Sequence, residues 1–167
     1  MTVTIEPTTP DHIERFHRTL DVVARERKYL AFLEAPPLAS TRAFVLANLA
    51  RGAPQFVAIA DGEVVGWCDI TPIDRPIYAH CGTLGMGLLP EMRGLGHGRA
   101  LIETALADAP RVGLTRVELT VHASNTRAAA LYERVGFRRE GIKHKGLRID
   151  GVYGDVIMMA RLADSAS

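Results

Sequence analysis

Cysteine is scarce in this 167-residue chain: two, Cys68 and Cys81, thirteen positions apart with no C-x-x-C. That spacing offers neither a disulfide framework nor a zinc knuckle, and both thiols are expected to be buried and reduced. The six histidines show no H-E-x-x-H and no i, i+4 pair, so no metal is expected. No run approaches the roughly 18 apolar residues of a membrane span, and Met1-Thr2-Val3-Thr4-Ile5-Glu6 lacks the basic and apolar regions of a signal peptide. A cytoplasmic protein with no membrane partner is expected. Charge of one sign is also missing: 20 Lys+Arg against 19 Asp+Glu give a net charge of +1, too little to neutralise a phosphate backbone, so no nucleic-acid partner is expected. There is no internal repeat and no low-complexity stretch. What is present, 47% hydrophobic and 23% charged residues, suits one soluble domain, residues 1–162, with 163–167 as a frayed tail.

Residues 2–6 alternate as a short strand closed by Pro7. Thr9-Pro10-Asp11 opens a helix that carries Ile13, Phe16, Leu20 and Val23 or Ala24 at helical spacing. A second helix is expected from near Ser40 to Gly52, with Phe44, Leu46, Ala47 and Ala50 buried. The period then changes to that of strands: Gln55 to Ala60, a type I′ Asp61-Gly62 turn, Glu63 to Thr71, and Cys81 to Leu89. Three strands without an intervening helix exclude a strict βαβ alternation. A helix to about Ala109, a strand Arg116 to Val121, a helix from Asn125 closed by Gly136, and strands near Phe137–Lys143 and Val152–Arg161 complete the order β-α-α-β-β-β-α-β-α-β-β. This describes an α/β fold, of the α+β type, with a mixed, mostly antiparallel central sheet and helices on both faces.

Between the fourth strand and the third helix lies Glu91-Met92-Arg93-Gly94-Leu95-Gly96-His97-Gly98-Arg99. A glycine-rich turn at a helix start makes an anion trap, because successive backbone N–H groups converge there and the helix dipole favours negative charge. It is not a P-loop, since Gly98 is followed by Arg99-Ala100 instead of Lys-Ser/Thr. It departs from the dinucleotide fingerprint, since Gly94-x-Gly96 lacks the third glycine and Glu118, 22 residues after Gly96, falls within a strand instead of at its end; the loop taken alone also reads as a glycine turn at a helix start with no ligand.

Arg93-x-x-Gly96-x-Gly98 instead resembles the Q/R-x-x-G-x-G/A loop of the GNAT superfamily of acetyl-CoA-dependent N-acetyltransferases. Asn125-Thr126-Arg127-Ala128-Ala129-Ala130-Leu131-Tyr132-Glu133-Arg134-Val135-Gly136-Phe137 is similar to that superfamily's N-x-x-A-x-x-x-Y-x-x-x-G-F segment, in the same order. The resemblance covers about residues 53–161. The stretch Lys143-His144-Lys145-Gly146 to Met158-Met159-Ala160-Arg161 looks like the small-molecule branch of amino-acid and phosphinothricin acetyltransferases.

The resemblance implies that acetyl-CoA is held by the backbone of Met86, Gly87 and Leu88, pairing with its pantetheine arm, and by Arg93, Gly94, Gly96, His97, Gly98 and Arg99 around its phosphates. Asn125 would take part in cofactor binding and also serve as a helix N-cap. Gly85 and Gly87 weaken a strand, which a bulge or a close backbone approach would explain. Tyr132, two turns beyond Asn125, is the expected catalytic acid for the departing thiolate. Removing a proton from an amine of pKa near 10 at neutral pH costs about 4 kcal/mol, so a base is useful. Asp69, His80, Glu118 and His122 are candidates, beside a water chain or an amine that arrives neutral. Acceptor contacts are expected from Arg27, Tyr29, Phe32 and Glu34 on one side and Trp67 and Tyr153 on the other, with Trp67 reading first as a core residue. The implied partner is a small-molecule amine, most plainly an amino acid or analogue, and a homodimer would supply further specificity surface. Two alternatives stand beside it: a protein N-terminal acetyltransferase, and a non-catalytic acetyl-CoA sensor.

Overall fold

The computed structural model describes residues 2–163. β1 (Thr4–Pro7) is followed by a 3₁₀ turn at Pro10–His12, which leads directly into α1 (Ile13–Arg25). The Thr9 amide donates to His12 Nδ1 across that turn. α2 (Leu38–Ala50), β2 (Gln55–Ala60), β3 (Glu63–Pro72), β4 (Cys81–Leu88), α3 (His97–Asp108), β5 (Arg116–His122), α4 (Thr126–Arg134), β6 (Arg138–Ile149) and β7 (Val152–Leu162) complete the chain. All eleven expected elements are therefore present, in the expected order.

Seven strands form one sheet in the order β1-β2-β3-β4-β5-β7-β6. All neighbours are antiparallel except β4 and β5, which run parallel. Asp61-Gly62 and Asp150-Gly151 both have positive φ, as type I′ hairpin turns require. One face of the sheet carries α1 and α2 over a core built on Ile13, Phe16, Leu20, Val23, Val45, Val64 and Trp67. The other carries α3 and α4, where Leu101, Ile102, Ala105, Ala129 and Tyr132 pack on Cys68, Ile70, Leu84 and Leu88. Both cysteines are free and buried. Among the described residues no helix is long and apolar enough to cross a membrane.

Two expectations are corrected. α2 does not bury Phe44, Leu46, Ala47 and Ala50, all of which are exposed; its inward face is Thr41, Val45 and Asn48. The reason is polar: the Asn48 amide donates to Thr71 Oγ1 at 3.1 Å, so the helix turns hydrogen-bonding groups toward β3. β6 runs on to Ile149, well beyond Lys143, with an irregular stretch between Lys143 and Leu147. There Lys145 has a positive φ and its amide donates to Asp155. Of the expected tail, Ala163 still donates its amide to the Thr115 carbonyl, and 164–167 lie outside the described residues.

Candidate active site

The site follows from the one parallel pairing. β4 and β5 pair over three positions, Cys81–Arg116, Gly82–Val117 and Thr83–Glu118, and then part. Past Thr83, β4 stays paired with β3 through Gly85–Asp69, Met86–Cys68, Gly87–Trp67 and Leu88–Gly66, leaving its other edge without a strand. A cleft of about 680 Å³ opens along that edge, walled by Met86, Gly87 and Leu88 on one side and Thr120 and Val121 on the other. Its mouth is formed by Arg93, Gly94, Gly96, Gly98 and Arg99.

Gly94 and Gly96 take positive φ, and α3 starts immediately after Gly96, so the first N–H groups of the helix are unpaired and face the loop. The Arg127 guanidinium lies where a Gly94 side chain would be, 2.4 Å from an added Cβ. Arg127 and Arg134 line the cleft and form no ion pair among the described residues. A long anionic ligand fits this geometry: an open strand edge for an extended arm, a helix N-terminus and two cations for its phosphates.

Arg93 is arranged otherwise. Its guanidinium makes a two-pronged ion pair with Glu26 at 2.6 and 2.9 Å, donates to the Leu88 carbonyl at 2.8 Å, and stacks on Tyr29. It ties the segment after α1 to the end of β4 while still lining the cleft. Arg99 is exposed and paired with Glu103, and His97 is half-buried at the helix start.

Asn125 caps α4, its Oδ1 accepting from the Ala128 amide at 3.2 Å. At the far end Gly136, with φ 101°, donates to Glu133 O while Phe137 donates back to Tyr132 O, a Schellman closure. The closure stacks Phe137 edge-on against Tyr132, ring centroids 5.7 Å apart. Tyr132 is thus fixed from both sides, buried, and lining the cleft. Burial raises its hydroxyl above the ordinary tyrosine range, with the neighbouring Cys68 adding to the effect, so the group stays protonated and can donate.

On the opposite face of β4 lies a second cavity of about 260 Å³. Phe16, Leu20, Leu30, Phe32, Phe44 and Trp67 wall it, and Asp69 stands in it opposite Gly85. Met86 lines both cavities, so they meet at this strand. Asp69 is 6% exposed. Burial pushes its carboxyl up to about 7, against a hydrogen bond from Thr71 that lowers it. Because Thr71 Oγ1 already accepts from Asn48, its own proton is free for Asp69.

The four base candidates therefore separate. His80 precedes the opposite end of β4 beside Cys81, Glu118 pairs with Arg116, and His122 Nδ1 bonds the Lys28 carbonyl at 2.7 Å. None of the three lines either cavity. Of the expected acceptor residues, Phe32 and Trp67 line the second cavity and Tyr29 the first. Arg27 pairs with Asp150, Glu34 with Arg25, and Tyr153 lies exposed beneath Lys145 and Arg148. The sequence places Arg127 and Arg134 in a local cluster of arginines suited to a compact anionic cofactor, and both line this cleft, whereas Thr120, Val121 and Leu131 carry no signal beyond their position near the parted strands.

Gly87 has a steric reason that can be tested. An added Cβ would sit 2.3 Å from the Trp67 ring, which lies across this strand and against Phe16. Gly87→Ala should cost about 1–3 kcal/mol of stability, read as a lower melting temperature; an unchanged melt would show that the indole has room to move.

The sheet is thus parted at its single parallel pair, with a glycine-rich helix start and a buried tyrosine at the parting. The chain belongs to the Acetyltransferase (GNAT) family, whose pattern matches residues 20–137. The L-amino acid N-acetyltransferase AaaT of Escherichia coli is 32% identical over 112 residues, 66% of this chain and 69% of that protein. A mycothiol acetyltransferase of Geodermatophilus obscurus is 47% identical over 57 residues, 34% of this chain, and the match spans 18% of that longer protein. The structure of a Sinorhizobium meliloti phosphinothricin acetyltransferase in complex with acetyl-CoA superposes with a TM-score of 0.91 at 20% identity, covering 99% of this chain and 91% of that one.

Proposed function

We propose that this acetyltransferase moves the acetyl group of acetyl-CoA onto the primary amine of a small molecule, of the amino-acid and analogue class, by direct attack within a ternary complex. The observation that carries the reading is the meeting of the two cavities at Met86, with a protonated tyrosine in one and a carboxyl pushed up to about 7 in the other. Burial raises both groups, but the carboxyl is brought to about 7 while the tyrosine stays protonated there, so near neutral pH the first can take up a proton and the second can give one, as an acid–base pair requires.

Acetyl-CoA supplies an acetyl thioester. The open backbone edge of Met86, Gly87 and Leu88, the amides from Gly94 to Arg99, and the Arg127 and Arg134 side chains would hold it, with Asn125 fixing the helix beside it. Asp69 takes a proton from the acceptor's ammonium, so that the nitrogen lone pair can form the new bond to the acetyl carbon. As the carbon–sulfur bond breaks Tyr132 gives its proton to the departing sulfur, and the second proton that the nitrogen loses on becoming an amide restores the tyrosine. Small size favours this reading over a peptide acceptor: the second cavity lies just below the roughly 300 Å³ at which small-molecule pockets begin. The balanced charge supports an enzyme without a nucleic-acid partner, and a cytoplasmic location without a membrane partner and a homodimer stay part of the proposal.

Incubating the protein with acetyl-CoA and a panel of amines, amino acids and N-terminal peptides, with thiol release as the readout, tests it. Turnover on small amines is expected. Activity confined to peptides would replace it with the N-terminal acetyltransferase, and acetyl-CoA binding without turnover on any amine with the sensor.

A further inference from the structure

The second cavity says more about the acceptor than that it is an amine. Its walls are apolar, and two of them, Phe32 and Phe44, are 49% and 40% exposed, on the protein surface bordering it. Among its lining residues no lysine, arginine or histidine is present. The polar ones are Asp69 and Thr41, and the Thr41 hydroxyl is buried with no hydrogen-bond partner.

A second anionic group entering this space would lie beside the Asp69 carboxyl with no cation to meet it, and burying an unpaired charge is prohibitive. An ammonium is welcome at Asp69, and an apolar group gains by leaving water against the aromatic walls. We infer that the acceptor carries an uncharged apolar group, aliphatic or aromatic, that fills this cavity while its ammonium meets Asp69. The inference rests on the proposed acetyl transfer to a small amine and narrows it. An amino acid fits only with its α-carboxylate outside this cavity, and acceptors whose further substituent is itself an anion, such as glutamate, aspartate or phosphinothricin, are excluded. The Thr41 hydroxyl is the one point at which a neutral polar atom on that group finds a partner.

The test compares kcat/KM along the n-alkylamines from ethylamine to hexylamine, and for phenethylamine against glutamate, aspartate and phosphinothricin. Each added methylene should raise kcat/KM about fourfold until the cavity is full, and the three anionic acceptors should fall at least ~100-fold below phenethylamine. A flat alkylamine series, or any anionic acceptor matching phenethylamine, overturns the inference. Turnover confined to peptides overturns it as well.

Trp67, the single tryptophan, lines the cavity, so its emission reports occupancy without turnover. Gly85→Val fills the cavity from its floor, since an added Cβ meets nothing nearer than Asp69 Oδ1 at 3.5 Å. Phe32→Ser, on the exposed loop, removes a wall if the first variant disturbs the strand. Either change should flatten the alkylamine series. If no amine turns over, yet phenethylamine shifts Trp67 emission saturably and Phe32→Ser abolishes the shift, the apolar pocket stands and the acetyl-transfer reading fails. No turnover and no shift overturn the pocket itself.

Discussion

Asp69→Asn should lower kcat/KM by about 10²–10³-fold and, at the same time, raise the melting temperature above pH 7. The two effects share one cause. Folding places this carboxyl where its ionised form is disfavoured, with its pKa at about 7 against an ordinary 3.8. A raised carboxyl pKa means that the folded state holds a proton which the unfolded state has already lost. This group's contribution to stability is therefore greatest below about pH 4, falls as pH rises, and levels off beyond about 7, a loss on the order of 4 kcal/mol. Asparagine has no such titration, so the variant's melting temperature should lose that slope while the Thr71 hydrogen bond can be kept. In the native protein kcat/KM should rise with pH through about 7 and then flatten, as a base that must be deprotonated demands. A variant that keeps the native rate, or a native profile flat across this range, would remove Asp69 from the chemistry.

The second large effect is expected at Tyr132→Phe: a fall in kcat of about 10²-fold, with acetyl-CoA affinity within about twofold of native. Phenylalanine preserves the ring that Phe137 stacks upon, and the lost hydroxyl makes no hydrogen bond among the described residues, so the fold should not suffer. A merely structural role would predict the reverse, a lower melt with an intact rate. A further readout separates the two: an acetyl thioester with a more acidic thiol leaves without help, and should recover much of the lost rate in the variant. Equal impairment with both thioesters would mean that the hydroxyl does not serve the departing sulfur.

Local signals in the sequence translate directly into structure where the chemistry is local. Asp61-Gly62 and Asp150-Gly151 are turns, Asn125 is a cap and Gly136 closes a helix, because a positive φ or a free N–H is settled within a few residues. What escapes is decided between elements distant in sequence. α2 carries enough apolar residues to suggest an oily inner face, yet it turns Thr41 and Asn48 inward, because Asn48 meets Thr71 23 residues away. The extension of β6 escapes for a related reason: the strand is mostly exposed, so no burial alternation marks it. The sequence admits four candidate bases because side-chain type does not reveal burial, and one of them alone shares a cavity with Met86. Arg93 looks like a phosphate ligand from its place in the loop, but Glu26, 67 residues earlier, has its guanidinium.

The parting of β4 from β5 has a mechanical side. Three residue pairs alone join the half-sheet β1–β4 to the half-sheet β5–β7 through the strands themselves. Each half has its own antiparallel ladder and is stiff, whereas the seam between them is short and sits at one end, as in a pair of tongs. A molecule lying along the open edge of β4 would stand where the strand ladder is missing and brace the two halves against each other.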